Sequence, residues 1–126
     1  MSDILKLARS VRVLTIEWPD GKKKDYEVDV SSRDRLTKWF SEEQKLGDLK
    51  KYTEGKEVTV ESFDEIFDTS RDLISTLVGE KACADIMKRS GGSLINLIAI
   101  IAKMGNMANA ALIEAQSVVE SVTAKR

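Results

Sequence analysis

The sequence has no histidine, one cysteine and one proline among its 126 residues. Without histidine it lacks the usual metal-binding imidazole, any His-based triad and the commonest general base. The single cysteine, Cys83, cannot form an internal disulfide, so we expect a reducing, cytosolic setting. No catalytic motif replaces what is missing. The sequence therefore predicts a protein that is not an enzyme and holds no cofactor.

An excess of one charge and a long apolar run are also missing. The 20 Lys and Arg residues nearly balance the 21 Asp and Glu residues, for a net charge of −1. This balance gives no electrostatic reason to expect a nucleic-acid partner. The longest apolar-rich run, 94–102, is far shorter than the ~20 residues of a membrane span. The N-terminal residues lack the apolar stretch of a signal peptide. We therefore expect no membrane and a cytoplasmic location.

Length and composition predict one domain over residues 1–126. A chain of this size buries roughly two thirds of its unfolded surface. Its 42% hydrophobic and 33% charged residues are compatible with a folded core. Residues 1–57 hold 25 of the 41 charged side chains. We expect a charged hairpin-plus-helix part at 1–57 and a helical part at 58–126.

Two alternating segments, 11–18 and 24–30, predict a β-hairpin. The turn between them, 19–21, has the sequence Pro-Asp-Gly, which favours a tight reversal. A lone hairpin is only marginally stable, so its apolar face should pack on helices. The apolar residues of that face are Leu14, Ile16, Trp18, Tyr26, Val28 and Val30. The helical residues expected beneath it are Trp39, Phe63, Phe67 and Leu77.

Capping residues and glycines predict the first two helices. Serines at 31–32 should cap the first helix, with Gly47 just past its end. Residues 48–57 are expected to form a short helix or a loop. Thr59 should cap the second helix, without a capping box because Ser62 stands where Glu or Gln is usual. Gly79 should end that helix.

A short helix is predicted at 81–88, followed by a break at 90–93 that ends in a capping Ser93. The last helix should run from Leu94 to about Val122. Residues 105–106 are where it would kink or divide, and the sequence leaves one helix and two helices as alternatives. The predicted fold class is therefore α+β. It is an N-terminal β-hairpin packed on a mostly helical bundle with a long apolar C-terminal helix.

Acidic residues form a cluster on one face of the second helix. Asp64, Asp68 and Asp72 recur every four residues, beside Glu61 and Glu65. One interpretation is a divalent-cation site of a small metal-dependent enzyme, because hard cations bind several oxygens. The interpretation we favour is a solvated acidic face whose first-turn residues complement the helix dipole.

Two further features have simple explanations. Cys83 would need a base to act as a nucleophile, so between two alanines it should be a small core residue. One interpretation of the lysines at 22–24 is a phosphate-binding tip, but Asp20 and Asp25 flank them. We expect a solvated turn that protects the sheet edge.

The last helix is apolar on nearly all sides, with Lys103 as the one charge between 94 and 113. Such a helix must be buried either by its own domain or by a partner. It is therefore either the central core helix or, in part, a surface for self-association or for a partner helix. Methionines among alanines suit adaptable helix contacts. The candidate partner-binding residues are Leu97, Ile101, Met104, Met107 and Leu112.

Short motifs in the hairpin and the second helix point to one family. Residues 24–28 have the form Lys-x-Tyr-x-Val. Residues 63–67 and 79–80 are loosely similar to a Phe-Phe-Asp-x-Val-Phe-Gly-Glu-Gly stretch. With the order of elements, these motifs resemble the tail assembly chaperones of siphophages and prophages of Gram-positive bacteria.

This resemblance implies a non-enzymatic function in virion assembly. Such chaperones coat the long, helical tape measure protein before the tail tube forms, and they self-associate. The resemblance thus implies the tape measure protein or other tail proteins as partners, in the cytoplasm of a bacterial host. The alternatives are a structural tail component, such as a tube or adaptor subunit, and a small homo-oligomeric helical interaction domain.

Overall fold

The computed structural model describes residues 2–6, 11–53 and 59–124, with the side chains of the first helix described as far as Asp48. Its α+β fold is the predicted one, a two-stranded antiparallel hairpin followed by four helices. The elements are β1 (Val11–Glu17), β2 (Lys23–Asp29), α1 (Arg33–Thr53), α2 (Val60–Val78), α3 (Glu80–Ser90) and α4 (Leu94–Ala124).

The predicted hairpin and its turn are confirmed. Leu14 lies opposite Tyr26 across the two strands. The Gly21 N–H donates to the Trp18 carbonyl at 2.8 Å, and Gly21 has a φ of +84° that favours glycine. The Asp20 side chain accepts from the backbone N–H of Lys22 at 2.9 Å. The turn residues therefore set the register that puts the apolar side chains on one face.

The predicted end of α1 at Gly47 is wrong, because the helix continues to Thr53. Glycine inside a helix costs about 1 kcal/mol relative to alanine, and the packing of α1 on α2 outweighs that cost. Residues 48–53 are therefore helical, and the rest of the segment, 54–57, lies outside the described residues. The start of α1 is as expected, since the Ser32 hydroxyl accepts from the Arg35 N–H at 3.3 Å.

Helix α2 begins and ends where the sequence predicts, but its cap differs. Thr59 is the N-cap, and its hydroxyl accepts from the Ser62 N–H at 3.1 Å. The Ser62 hydroxyl accepts in return from the Thr59 N–H at 3.1 Å, so a capping box is present. The expectation that Ser62 would prevent one is wrong, because a short hydroxyl reaches the same N–H. Gly79, at a φ of +86°, separates α2 from α3.

Helix α4 is a single helix of 31 residues, so of the two alternatives left open at 105–106 the undivided one holds. Gly105 is buried instead against α1. A Cβ atom there would lie 3.2 Å from Glu43 Oε2 and 3.8 Å from Trp39 Cζ2. The glycine therefore leaves room for these two side chains of α1 against α4. Ser93 caps the helix as predicted, accepting from the Asn96 N–H at 3.3 Å.

The core forms where the hairpin face meets the helices. Five of the six predicted hairpin residues are buried, and Ile16 is half-buried. Trp39 and Leu77 are fully buried and Phe67 packs partly against them. Phe63 is 42% exposed, so its placement in the core is wrong. It lies in the first turn of α2, whereas the buried residues of that helix begin at Thr69.

Candidate interaction surface on helix α4

Helix α4 has a buried first part and an exposed end. Its buried residues run from Leu97 to Ala108, and every residue from Leu112 to Ala124 is exposed. At 1.5 Å per residue, the 112–124 segment is about 20 Å long. We call this segment the α4 end. The first part of the helix thus belongs to the core. The α4 end is not covered by any other described element.

One row of residues, the α4 seam, runs through both parts. Its members recur at alternating steps of four and three, the spacing at which helices pack side by side. The first four are buried, Ala111 is half-buried and the last three are exposed. The row that packs in the core therefore continues onto open surface. The members of the α4 seam are Leu97, Ile101, Met104, Ala108, Ala111, Ala115, Val118 and Val122.

A groove of about 590 Å³ opens beside the exposed part of the seam. Leu36 and Phe40 of α1 form its apolar floor, and both are half-buried. On the α4 side it is lined by Ala115 and Val118. The lining residues are Arg12, Val30, Ser31, Arg33, Leu36, Thr37, Phe40, Ala111, Leu112, Glu114, Ala115 and Val118.

Charged side chains stand at the rim of the groove. Arg12 of β1 pairs with Glu114 of α4 at 2.6 Å, and both side chains are largely exposed. Arg33, in the first turn of α1, is also exposed and lines the groove. An apolar floor with a charged rim is the usual composition of a protein-binding surface.

The five predicted partner-binding residues divide between the two parts of α4. Leu97, Ile101 and Met104 are buried within the chain itself, so a partner cannot reach them in this fold. Met107 is half-buried and Leu112 is 46% exposed. Partner contact stays a prediction, and Leu112 is the one of the five that the fold presents openly. The residues missed by sequence reasoning are Ala115, Val118 and Val122, whose spacing could have revealed them.

Away from the groove, a cluster of polar side chains joins the hairpin to α3. One oxygen of Asp85, Oδ2, accepts from Lys24 Nζ at 2.8 Å, from the Tyr26 hydroxyl at 2.7 Å and from Arg89 Nε at 3.1 Å. These donors, Lys24 first and then Tyr26, hold the pKa of the Asp85 carboxyl well below its usual range. The spacing of Asp85 and Arg89 along α3 is local, but only the fold brings Lys24 and Tyr26 of β2 to the same oxygen.

Tyr26 in this cluster is not poised for acid–base chemistry. Burial, and then the hydrogen bond to Asp85, raise the pKa of Tyr26 to about 12. The hydroxyl thus keeps its proton near neutral pH and acts as a donor. A hollow of about 460 Å³ lies beside the cluster, but the geometry pairs its charges with one another. We interpret the cluster as a structural contact between β2 and α3.

Cys83 is buried, as predicted for a core residue. Burial raises the pKa of its thiol, and the thiol donates to the Arg71 carbonyl at 3.4 Å. A protonated, enclosed thiol is a poor nucleophile. Cys83 therefore contributes packing.

The five acidic residues of α2 are all exposed. Asp68 lies 3.5 Å from Arg71 of the same helix. In the part of the chain that the structure describes, no group of three or more His, Cys, Asp or Glu residues could hold a metal ion. This arrangement agrees with the solvated acidic face.

Helix α4 extends well beyond the apolar run at 94–102. By length and composition alone, it is the one described helix that could cross a membrane. That property is weak evidence for a span, because the core helix of a soluble protein has it too. In this helix, 33% of the most apolar 18-residue stretch is buried inside the chain.

Comparison with known proteins finds no match: no family model, no curated protein and no solved structure corresponds to this chain.

Proposed function

We propose that this chain is a non-enzymatic interaction domain that binds a helical segment of a partner protein in the groove between α1 and α4. One observation carries the proposal. The α4 seam, which packs helices together in the core, continues with the same spacing past Ala108 onto exposed surface. A seam with this spacing is completed by another helix.

The groove also suits a helix rather than a small molecule or an extended peptide. Its floor, Leu36 and Phe40, and its α4 wall, Ala115 and Val118, offer apolar contacts along a helix axis. An amphipathic helix fills such a groove with side chains at three- and four-residue spacing. The exposed Arg33 on the rim favours a partner helix with an acidic residue at its edge.

The specific form of this proposal is a tail assembly chaperone whose partner is the tape measure protein. It is supported by the motifs at 24–28 and 63–67 and by the order of elements, which resemble that family. A long, helical partner would suit a groove made for helices. We would then expect the chain in the cytoplasm of a bacterial host. A tube or adaptor subunit is less favoured, because the described residues contain one sheet of two strands.

A pull-down with matched variants tests the proposal. The tagged chain is expressed in its own host, and the proteins that remain bound at low and moderate salt are identified by mass spectrometry. Leu112→Glu places a charge at the groove, whereas Ser117→Glu places the same charge on another side of α4. Both positions are exposed, so both variants should fold.

We expect the wild type and Ser117→Glu to retain a large, helix-rich protein together with other tail proteins, and Leu112→Glu to lose them. Equal retention by both variants would show that the partner binds elsewhere. Recovery of the chain alone at both salt concentrations would contradict the proposed function.

A further inference from the structure

The exposed part of the α4 seam changes in side-chain size along the helix. Ala111 and Ala115 are small, whereas Val118 and Val122, nearer the C-terminus, are larger and branched. Close packing pairs small side chains with larger ones on the facing helix. The helix that covers this face should therefore carry large side chains opposite the alanines of α4 and small side chains opposite its valines.

We propose that a second copy of this chain covers this face, with the two α4 ends packed antiparallel. The register is centred between Gln116 and Ser117. Ala115 then faces the second copy's Val118, and Ala111 faces its Val122. Each small residue meets a larger one, and the two-fold symmetry repeats the match. A parallel pair would instead set alanine against alanine and leave a gap there.

The residues that flank the seam favour the same orientation. On one flank, the antiparallel register brings Leu112 close to the second copy's Val119, so two exposed apolar side chains cover each other. On the other flank, Glu114 lies near the second copy's Ser121 and keeps its ion pair with Arg12. A parallel pair would place Val119 beside Glu114, which buries a charge against an apolar group.

The groove extends this contact beyond the two helices. The paired segments, 111–122, are about 18 Å long, which is short for a stable interface. In the antiparallel arrangement, the end of the second copy's α4 lies along the groove and reaches Phe40 and Leu36 of α1. The symmetry repeats this contact, so both grooves are filled in one dimer.

The dimer uses the surface of the proposed function, yet its formation requires no other protein. A helical partner would have to displace the second copy, so dimer dissociation would regulate access to the groove. This regulatory consequence rests on the proposed function, whereas the dimer itself does not.

The mass of the purified full-length chain in solution tests the dimer. Light scattering over a range of concentrations should approach twice the monomer mass of 14.0 kDa. Val118→Glu should shift the chain to monomer at the same concentrations, and Ser117→Glu should leave the dimer. Circular dichroism would confirm that both variants keep their helices. A monomeric wild type, or a Val118→Glu variant that still dimerises, would overturn the proposal.

Cysteine cross-linking tests the orientation. An equal mixture of the Ala115→Cys and Val118→Cys chains should form a disulfide-linked heterodimer on mild oxidation. Ala115→Cys alone should cross-link several-fold less, because a disulfide needs Cα atoms within about 7 Å. The native Cys83 is buried and is present in every sample. Strong self-cross-linking of Ala115→Cys would show a parallel pair and overturn the register.

Lipid is the other occupant that α4 could attract. Flotation with neutral phosphatidylcholine vesicles separates the two cases. We expect the wild-type dimer to remain unbound, and a monomer that floats with the vesicles would overturn the proposal. Failure of the dimer would leave the pull-down as a separate test, so the two proposals can fail independently.

Discussion

The Tyr26 hydroxyl donates to the Asp85 carboxylate at 2.7 Å and thereby joins the hairpin to α3. Tyr26 is otherwise buried, and Lys24 and Arg89 approach the same carboxylate oxygen. The hairpin therefore rests on the helices through both an apolar face and a charge-assisted contact. Removing the two partners one at a time separates these contributions.

Tyr26→Phe keeps the aromatic ring and removes the donor. A hydrogen bond to a charged acceptor contributes about 1.5 kcal/mol, so we expect the variant to be less stable by about that amount at pH 7 in urea unfolding. The pKa of Tyr26 in the folded chain is about 12, above its ordinary value of about 10. The advantage of the wild type should therefore be complete below pH 10 and decline as the pH rises toward 12. A difference that stays constant over that range would contradict the assigned role of the hydroxyl.

Asp85→Asn keeps the shape of the side chain and removes its charge. The pKa of Asp85 is lowered in the folded chain, so its stabilising effect is present above the ordinary aspartate value. It is lost as the pH falls through the lower, folded value. We expect the variant to be less stable than the wild type at pH 6, with a difference that shrinks below pH 4. Thermal unfolding from pH 6 to pH 2 measures this, and a difference that grows on acidification would refute it.

The two helical glycines give a matched pair of substitutions. Gly47→Ala adds a Cβ atom in open space, so it should raise the free energy of unfolding by about 1 kcal/mol through helix propensity. Gly105→Ala adds a Cβ atom 3.2 Å from Glu43 Oε2. The carboxylate end of Glu43 has to move, so we expect a smaller gain than at Gly47. Urea unfolding of both variants decides the order, and a larger gain at Gly105 would mean that α1 and α4 are not in close contact.

The elements of the fold follow from local signals, but their ends depend on packing. The alternation at 11–18 and 24–30, the turn at 19–21 and the break at Gly79 are all visible in the sequence. The continuation of α1 past Gly47 is not visible in the sequence, because this continuation depends on the packing of α1 against α2. The contact of Asp85 with Lys24 and Tyr26 could not be predicted for the same reason, since these two donors lie on β2 and the carboxylate lies on α3.

Three of the five predicted contact residues on α4 are buried by the chain itself, and sequence reasoning could not show this. A helix that is apolar on nearly all sides gives no sign of which stretch its own domain covers. The answer depends on how far the other elements cover α4, and the last buried residue of the helix is Ala108. Leu97, Ile101 and Met104 therefore lie in the core, and from Leu112 onward every described residue of α4 is exposed.

The division of α4 predicts effects of different size for one substitution at two positions. Met104 is 0% exposed and Leu112 is 46% exposed. Met104→Ala should lower the free energy of unfolding by about 2–5 kcal/mol, because it leaves a cavity in the core. Leu112→Ala should cost less than about 1 kcal/mol and keep the same helical content. The double substitution Met104→Glu and Met107→Glu should unfold the chain, since it buries a charge without a partner. Circular dichroism and urea unfolding distinguish these cases, and a folded double variant would contradict the burial of Met104 in the core.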